Sequence, residues 1–123
     1  MSLTFKAYWE LLELEYPLFR RNFSAIHDRV RKTPLRTPPK NILAATQIAQ
    51  AVDLAAVLYF RQVLCLQRSA ATACLLKKHG FAAQLVIGVQ LLPFYAHAWV
   101  ELDGVVINDK PYMSEVYSVL ERC

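Results

Sequence analysis

The segment Cys65-Leu66-Gln67-Arg68-Ser69-Ala70-Ala71-Thr72-Ala73-Cys74 is the centre around which the rest of the chain has to be arranged. From Ala70 to Leu76 the chain is apolar almost all round, which is typical of a buried central helix, and the alanines allow neighbouring elements to approach closely. Gly80 follows two lysines and a histidine and predicts the C-terminal end of this helix. We therefore expect a buried helix that begins near Cys65.

Two further helices are predicted before this one. The first spans Thr4 to Tyr16, and its apolar face consists of residues three or four positions apart, namely Phe5, Trp9, Leu12 and Tyr16. Pro17 is expected to end or kink it. The second helix has Asn41 as its N-cap and stops at a break between Arg61 and Leu64.

The remainder of the chain has the character of a sheet. Three strands are predicted, at residues 82–89, at Phe94 to Leu102 and at Val105 to Ile107, and Asp103-Gly104 is a hairpin signal between the last two. Tyr112 to Arg122 is predicted to be a short closing helix. Helices packed on a small antiparallel sheet place the chain in the α+β class.

The composition limits the classes of protein to which this chain can belong. A chain of 123 residues, 55% of them hydrophobic, suits one domain with a real core. It has no apolar run of the roughly 18–20 residues that a membrane span needs. Acidic residues interrupt the N-terminus, so a secretory signal is not expected. Three cysteines, an odd count, do not suggest a disulfide framework, and we expect a reduced, cytoplasmic protein.

Basic residues are concentrated between Arg20 and Lys40. This stretch holds seven of the fourteen lysines and arginines, together with three prolines. It is interpreted either as a solvated linker of extended chain or as a docking surface for an acidic peptide or protein. Nucleic-acid binding is disfavoured, because no aromatic residues are interleaved with the basic ones. We accordingly divide the chain into an N-terminal helix and basic proline-containing segment, 1–40, and a domain, 41–123.

Three side chains of the types used in nucleophilic catalysis follow one another along the chain. Cys65 opens a predicted helix, where the partial positive charge of the helix N-terminus favours a thiolate. His97 follows on a strand, and Asn108-Asp109 follows the next strand. A thiol, an imidazole and a carboxylate can assemble a nucleophile, a base and an orienting group. The backbone amide of Cys65 is a natural oxyanion donor, and Gln62 or Trp99 is a candidate for the second.

The other cysteines and a metal site are the competing interpretations. Cys74 lies in the apolar part of the helix and is interpreted as a small core residue, and Cys123 as a frayed terminal residue. Zinc bound by the cysteine, histidine and aspartate of the site would lack a fourth ligand or a C-x-x-C pair. No metal and no cofactor are therefore predicted.

The geometry of the hairpin decides which residue orients His97. A two-residue loop at Asp103-Gly104 would place Asn108 on the face of His97, whereas a three-residue loop that includes Leu102 would place Asp109 opposite it. We favour the three-residue loop and Asp109, because a carboxylate better stabilises an imidazolium. The predicted catalytic residues are Cys65, His97 and Asp109.

These residues resemble a known family. The run Cys65-Leu-Gln-Arg-Ser69, the strand Leu85-Val-Ile-Gly88, the segment His97-Ala-Trp-Val-Glu101 and Asn108-Asp109 are similar to the lasso-peptide leader peptidases, which are transglutaminase-like cysteine proteases. The resemblance covers about Asp53 to Cys123. It implies a transglutaminase-like, papain-like fold and the same three catalytic residues.

The resemblance also implies a substrate and partners. The implied activity is removal of the leader from a ribosomally made lasso-peptide precursor, which frees the core's N-terminal amine for closure by a separate ATP-dependent macrolactam synthetase. The implied partners are the precursor leader peptide, a separate leader-recognition protein and this synthetase. Two alternatives remain open from the residues: an acyltransferase that uses the same triad, and a non-catalytic peptide-binding module on the same fold.

Overall fold

A computed structural model of the chain describes residues 2–34, 42–91, 93–110 and 113–123. Within these residues the elements, in chain order, are α1 (Leu3–Phe19), α2 (Phe23–Lys32), α3 (Ile42–Leu58), α4 (Cys65–Lys78), β1 (Ala83–Leu91), β2 (Phe94–Leu102), β3 (Val105–Val106), α5 (Met113–Val116) and β4 (Ser118–Arg122). None of the described helices has both the length and the apolar character needed to cross a membrane.

Helix α4 is the buried central helix that its small residues predict. Every residue from Ser69 to Leu76 is buried, and α4 packs against α1, α3 and both long strands. The helix begins at Cys65 and ends before Gly80, which has the left-handed φ of 92° that favours glycine after a helix. The predicted start and stop are both confirmed.

The strands form an antiparallel sheet in the order β3-β2-β1-β4. The pairing of β1 with β2 sets Leu85 opposite Val100 and Gly88 opposite His97. One face of the sheet contributes Leu85, Ala98 and Val100 to the main core with α4, and the other face holds a smaller cluster around Trp99. Helices packed on a small antiparallel sheet confirm the α+β class.

Helix α1 turns a different face inward from the one that its aromatic residues mark. Its buried residues are Ala7, Glu10, Leu11 and Leu14, whereas the predicted apolar face is exposed. Both faces have helical spacing, so periodicity alone could not choose between them. The carboxylate of Glu10 can be buried because Lys78 and Arg29 approach it. The helix also continues past Pro17 to Phe19, since a proline in the last turn removes only one hydrogen bond.

The interpretation of the basic stretch as extended linker is wrong for residues 23–32. They form α2, whose side chains Ile26 and Val30, one turn apart, are buried in the main core. Asn22 caps this helix by accepting a hydrogen bond from the amide of Ala25 at 3.1 Å. Thr33 is extended before Pro34, as predicted. The Thr37-Pro38 step, the Asn41 cap and the boundary at residue 40 lie outside the described residues.

The closing helix predicted for Tyr112 to Arg122 is also wrong. Of the described residues in this range, Met113–Val116 is helical, and Ser118–Arg122 forms β4 along the free edge of β1. Beyond it the amide and carbonyl of Cys123 bond to Leu85 at 2.9 and 2.7 Å, so this residue is not frayed. The open main-chain groups of β1 determine the outcome, since a short segment takes its secondary structure from the neighbour that can pair with it.

Candidate active site

His97 and Asp109 are in direct contact. The Nε2 atom of His97 lies 2.7 Å from Oδ2 of Asp109, and both side chains are about four-fifths buried. An ionised carboxylate can only accept a hydrogen bond, so His97 donates from Nε2 and carries its lone pair on Nδ1. This arrangement leaves the other ring nitrogen available to take a proton.

The hairpin has the two-residue register, so the three-residue loop that we favoured is wrong. Glu101 pairs with Val106 and Leu102 with Val105. The loop residues Asp103 and Gly104 have positive φ values of 52° and 79°, the conformation of a type I′ turn. A three-residue loop would have needed only one residue with positive φ, but aspartate tolerates this region and made the shorter loop accessible.

Asp109 contacts His97 in spite of this register because β3 is only two residues long. After it, the amide of Ile107 donates to the carbonyl of Val100 at 2.9 Å, and Oδ1 of Asn108 accepts from the amide of Val100 at 2.8 Å. Residues 107–109 then form a bend. Strand alternation no longer applies past that point, and the carboxylate of Asp109 is turned toward the imidazole.

The electrostatic surroundings keep Asp109 ionised. Partial burial raises the pKa of its carboxyl, but hydrogen bonds from His97 and from the amide of Lys110, together with the charges of His97 and Arg68, bring that pKa below its ordinary value. Arg68 also lies 3.6 Å from the carboxylate of Asp53. Burial raises the pKa of Asp53, Arg68 lowers it in part, and the nearby charge of Asp109 raises it again. Two carboxylates and one guanidinium therefore share this side of the site.

Cys65 is the first residue of α4 and is half-buried. Leu64, at the N-cap, offers no side-chain hydrogen bond to the amides of the first turn. In the described part of the chain, no hydrogen bond joins Cys65 to His97 or Asp109. The structure therefore brings the histidine and the aspartate together, and places the cysteine at the start of the helix that packs on the histidine's strand.

A polar network connects α4 to β2, the strand that carries His97. The hydroxyl of Ser69, one turn after Cys65, donates to the carbonyl of Ala98 at 3.0 Å and accepts from Nδ2 of Asn108 at 3.0 Å. Asn108 thus bridges the helix, β2 and the bend that carries Asp109. Sequence reasoning missed this role: it assigned no specific role to Ser69 and considered Asn108 only as a rival partner of His97.

Aromatic rings support the imidazole. The ring of Tyr117 stacks on His97 with centroids 5.4 Å apart, and Trp99 lies at 6.2 Å. Gly88 makes room for both, because a Cβ there would lie 2.7 Å from Cη2 of Trp99 and 2.9 Å from Cβ of Tyr117. The sequence offered no signal for Tyr117, which fell in the segment predicted to be helical.

The indole of Trp99 has a partner of its own. Its Nε1 donates to the buried carboxylate of Glu101 at 2.9 Å. The indole N–H is therefore occupied within the chain, and Trp99 as the second oxyanion donor stays a prediction. The other candidate, Gln62, lies in the exposed segment before α4.

The two other thiols are in surroundings that disfavour ionisation. Cys74 is fully buried, as predicted for a core residue, and burial raises the pKa of its thiol. Burial and the charge of Glu121 raise the pKa of Cys123. Among the described residues, no three or more histidine, cysteine, aspartate and glutamate side chains cluster as metal ligands would.

Comparison with known proteins gives two matches. A family model described as the transglutaminase-like superfamily matches residues 9–122. The microcin J25-processing protein McjB of Escherichia coli is 48% identical over 56 residues, which are 46% of this chain and 27% of that protein. The chain thus matches about a quarter of its relative's length, and no solved structure matches. Since the family model covers nearly the whole chain, including the cysteine helix and the strands around His97, this protein belongs to the transglutaminase-like superfamily.

Proposed function

We propose that this protein is a cysteine peptidase that removes the leader from a ribosomally made lasso-peptide precursor, with Cys65, His97 and Asp109 as its catalytic residues. The observation that carries the proposal is the hydrogen bond of 2.7 Å between His97 and Asp109, on the strand against which the cysteine helix packs. The match to a protein named for processing microcin J25 supports the substrate class.

The chemistry follows from the free nitrogen of the imidazole. Nδ1 of His97 takes the proton of Cys65, and the thiolate attacks the carbonyl carbon of the scissile peptide bond. The imidazolium, stabilised by Asp109, then gives its proton to the departing amine of the core peptide, which leaves a thioester between Cys65 and the leader. Water, deprotonated by His97, hydrolyses the thioester, so the leader departs with a carboxylate and the thiol is restored.

The start of α4 can stabilise the oxyanion of this reaction. The first amides of a helix have no partner inside the helix, and they carry a partial positive charge. The side chain of Leu64, at the N-cap, forms no hydrogen bond with these amides. We assign the backbone amide of Cys65 as the oxyanion donor, because it lies beside the sulfur that attacks.

A separate leader-recognition protein and the macrolactam synthetase are the partners that this function implies. Two charges of the basic stretch are engaged in ion pairs within the chain, and we favour the exposed apolar face of α1 as the docking surface. In the basic stretch, Arg29 pairs with Glu13, and Arg31 pairs with Asp28 and Glu121, so these charges are engaged within the chain. The α1 face is instead open, with five large apolar side chains between 37% and 73% exposed: Phe5, Trp9, Leu12, Tyr16 and Phe19.

A cytoplasmic location fits the three free cysteines.

Product masses test the proposed activity. The purified chain is incubated with a lasso-peptide precursor and its leader-recognition protein, and the products are weighed by mass spectrometry. We expect two fragments whose masses add up to the precursor plus one water. A leader fragment that carries an added amine would mean acyl transfer, and an intact precursor would mean that the chain is not this peptidase.

A further inference from the structure

We propose that the main chain of the peptide substrate docks as an additional strand on the outer edge of β2, hydrogen-bonded to Ala96. The identification of the docked chain as the substrate rests on the proposed function. The edge itself leads directly to His97.

The direction of the main-chain groups is determined by the pair Leu85 and Val100. The amide and carbonyl of Leu85 bond to Cys123, on the far side of β1 from β2. Those of Val100 bond to Asn108 and Ile107, on the far side of β2 from β1. Adjacent residues of an antiparallel strand point their amides and carbonyls to opposite sides, so Ala98 and Ala96 point outward as Val100 does.

Among the described residues, contacts with the outer edge of β2 lie at one end of the strand. Strand β3 pairs with Glu101 and Leu102. In the bend after it, Ile107 and Asn108 form hydrogen bonds with the main chain of Val100. The carbonyl of Ala98 accepts from the hydroxyl of Ser69. Beyond these contacts the edge continues to Ala96, which is exposed together with Tyr95 and Phe94.

His97 stands at the centre of this edge. Its own amide and carbonyl point inward to its partner Gly88, and its neighbours on either side point outward. A peptide in extended conformation, paired with Ala96, would therefore pass alongside the imidazole. An exposed strand edge recognises an extended main chain through its hydrogen bonds, whatever the side chains. The side chain of Phe94, 68% exposed, adds an apolar contact at the far end.

The test removes the main-chain N–H donor of residue 96 and keeps the strand. Ala96→Pro deletes one outward amide, and proline is tolerated at an edge position whose amide does not join the ladder. We expect unchanged far-UV circular dichroism, a kcat within about twofold, and a KM for the precursor raised roughly tenfold, the factor that about 1.4 kcal/mol represents. Ala96→Val, which keeps the amide, is the matched comparison and should raise the KM far less than Ala96→Pro does.

A second measurement covers the outcomes in which Ala96→Pro does not fold or the wild-type chain does not cleave. Precursor peptides N-methylated at single positions on either side of the scissile bond are bound to the Cys65→Ala chain, and their dissociation constants are measured by fluorescence anisotropy. At least one position is expected to weaken binding about tenfold, since it loses the donor that pairs with this edge. Uniform affinities across the series, or a KM of folded Ala96→Pro equal to that of the wild type, would overturn the docking mode. Neither result would bear on whether Cys65 cleaves the precursor.

Discussion

Replacing Cys65 by alanine is expected to abolish precursor cleavage, with a loss of at least about 10⁴-fold in kcat/KM, because no thioester can form without the sulfur. The fold should remain, since Cys65 is half-buried at a helix start and the change removes a single atom; we expect a loss of less than about 1 kcal/mol in the free energy of unfolding. Cleavage is followed by chromatography, and stability by chemical denaturation.

A second cysteine provides the control for this variant. Cys123→Ser removes another half-buried thiol, which lies outside the site, and should keep the wild-type rate. If Cys65→Ala cleaved at a rate near that of the wild type, the mechanism would be contradicted, because neither of the other thiols is in surroundings that favour a thiolate.

Asp109→Asn should lower kcat by roughly 10²–10⁴-fold with a small effect on KM. Asparagine keeps the shape of aspartate but lacks the charge that stabilises the imidazolium, and its amide nitrogen can select the wrong tautomer of His97. The pKa of Asp109 lies below its ordinary value, so the carboxylate is present throughout the neutral range and is lost only as the pH falls through that lowered value. Single-turnover rates at pH 7 measure this effect without interference from product release.

Asn108→Ala is the neighbouring comparison. Asn108 bonds to Val100 and Ser69, so its removal should cost about 1–2 kcal/mol in the free energy of unfolding and should slow cleavage far less than Asp109→Asn does. The opposite order of the two kinetic effects would identify Asn108 as the group that orients His97.

The sequence predicted those parts of the fold that depend on local pattern. The small-residue helix from Cys65, the two long strands and the turn at Asp103-Gly104 follow from periodicity, capping and turn chemistry. It could not predict β4, because those residues take strand structure from the edge of β1 that they cover. Helix α2 was hidden by its basic residues, although Asn22 is a recognisable N-cap.

The contact between His97 and Asp109 was predictable from the residue types, whereas the side chains that support it were not. Asp109 was predicted to contact His97, but from the wrong hairpin register, because the sequence does not reveal that pairing stops at Val106. The ring of Tyr117 reaches His97 only through the fold of the last segment, beside the space that Gly88 leaves. Long-range contacts of this kind have no signature in local spacing.

Brief alkylation detects an activated thiol at Cys65 directly, without substrate or partner. The wild-type chain and Cys65→Ala are treated with iodoacetamide near pH 6.5, and the intact proteins are weighed. Burial raises the pKa values of Cys74 and Cys123, so these thiols stay protonated at this pH and react slowly. If Cys65 is activated, we expect rapid addition of one label in the wild type and none in the variant. Equal labelling of the two proteins, or slow labelling of both, would contradict it.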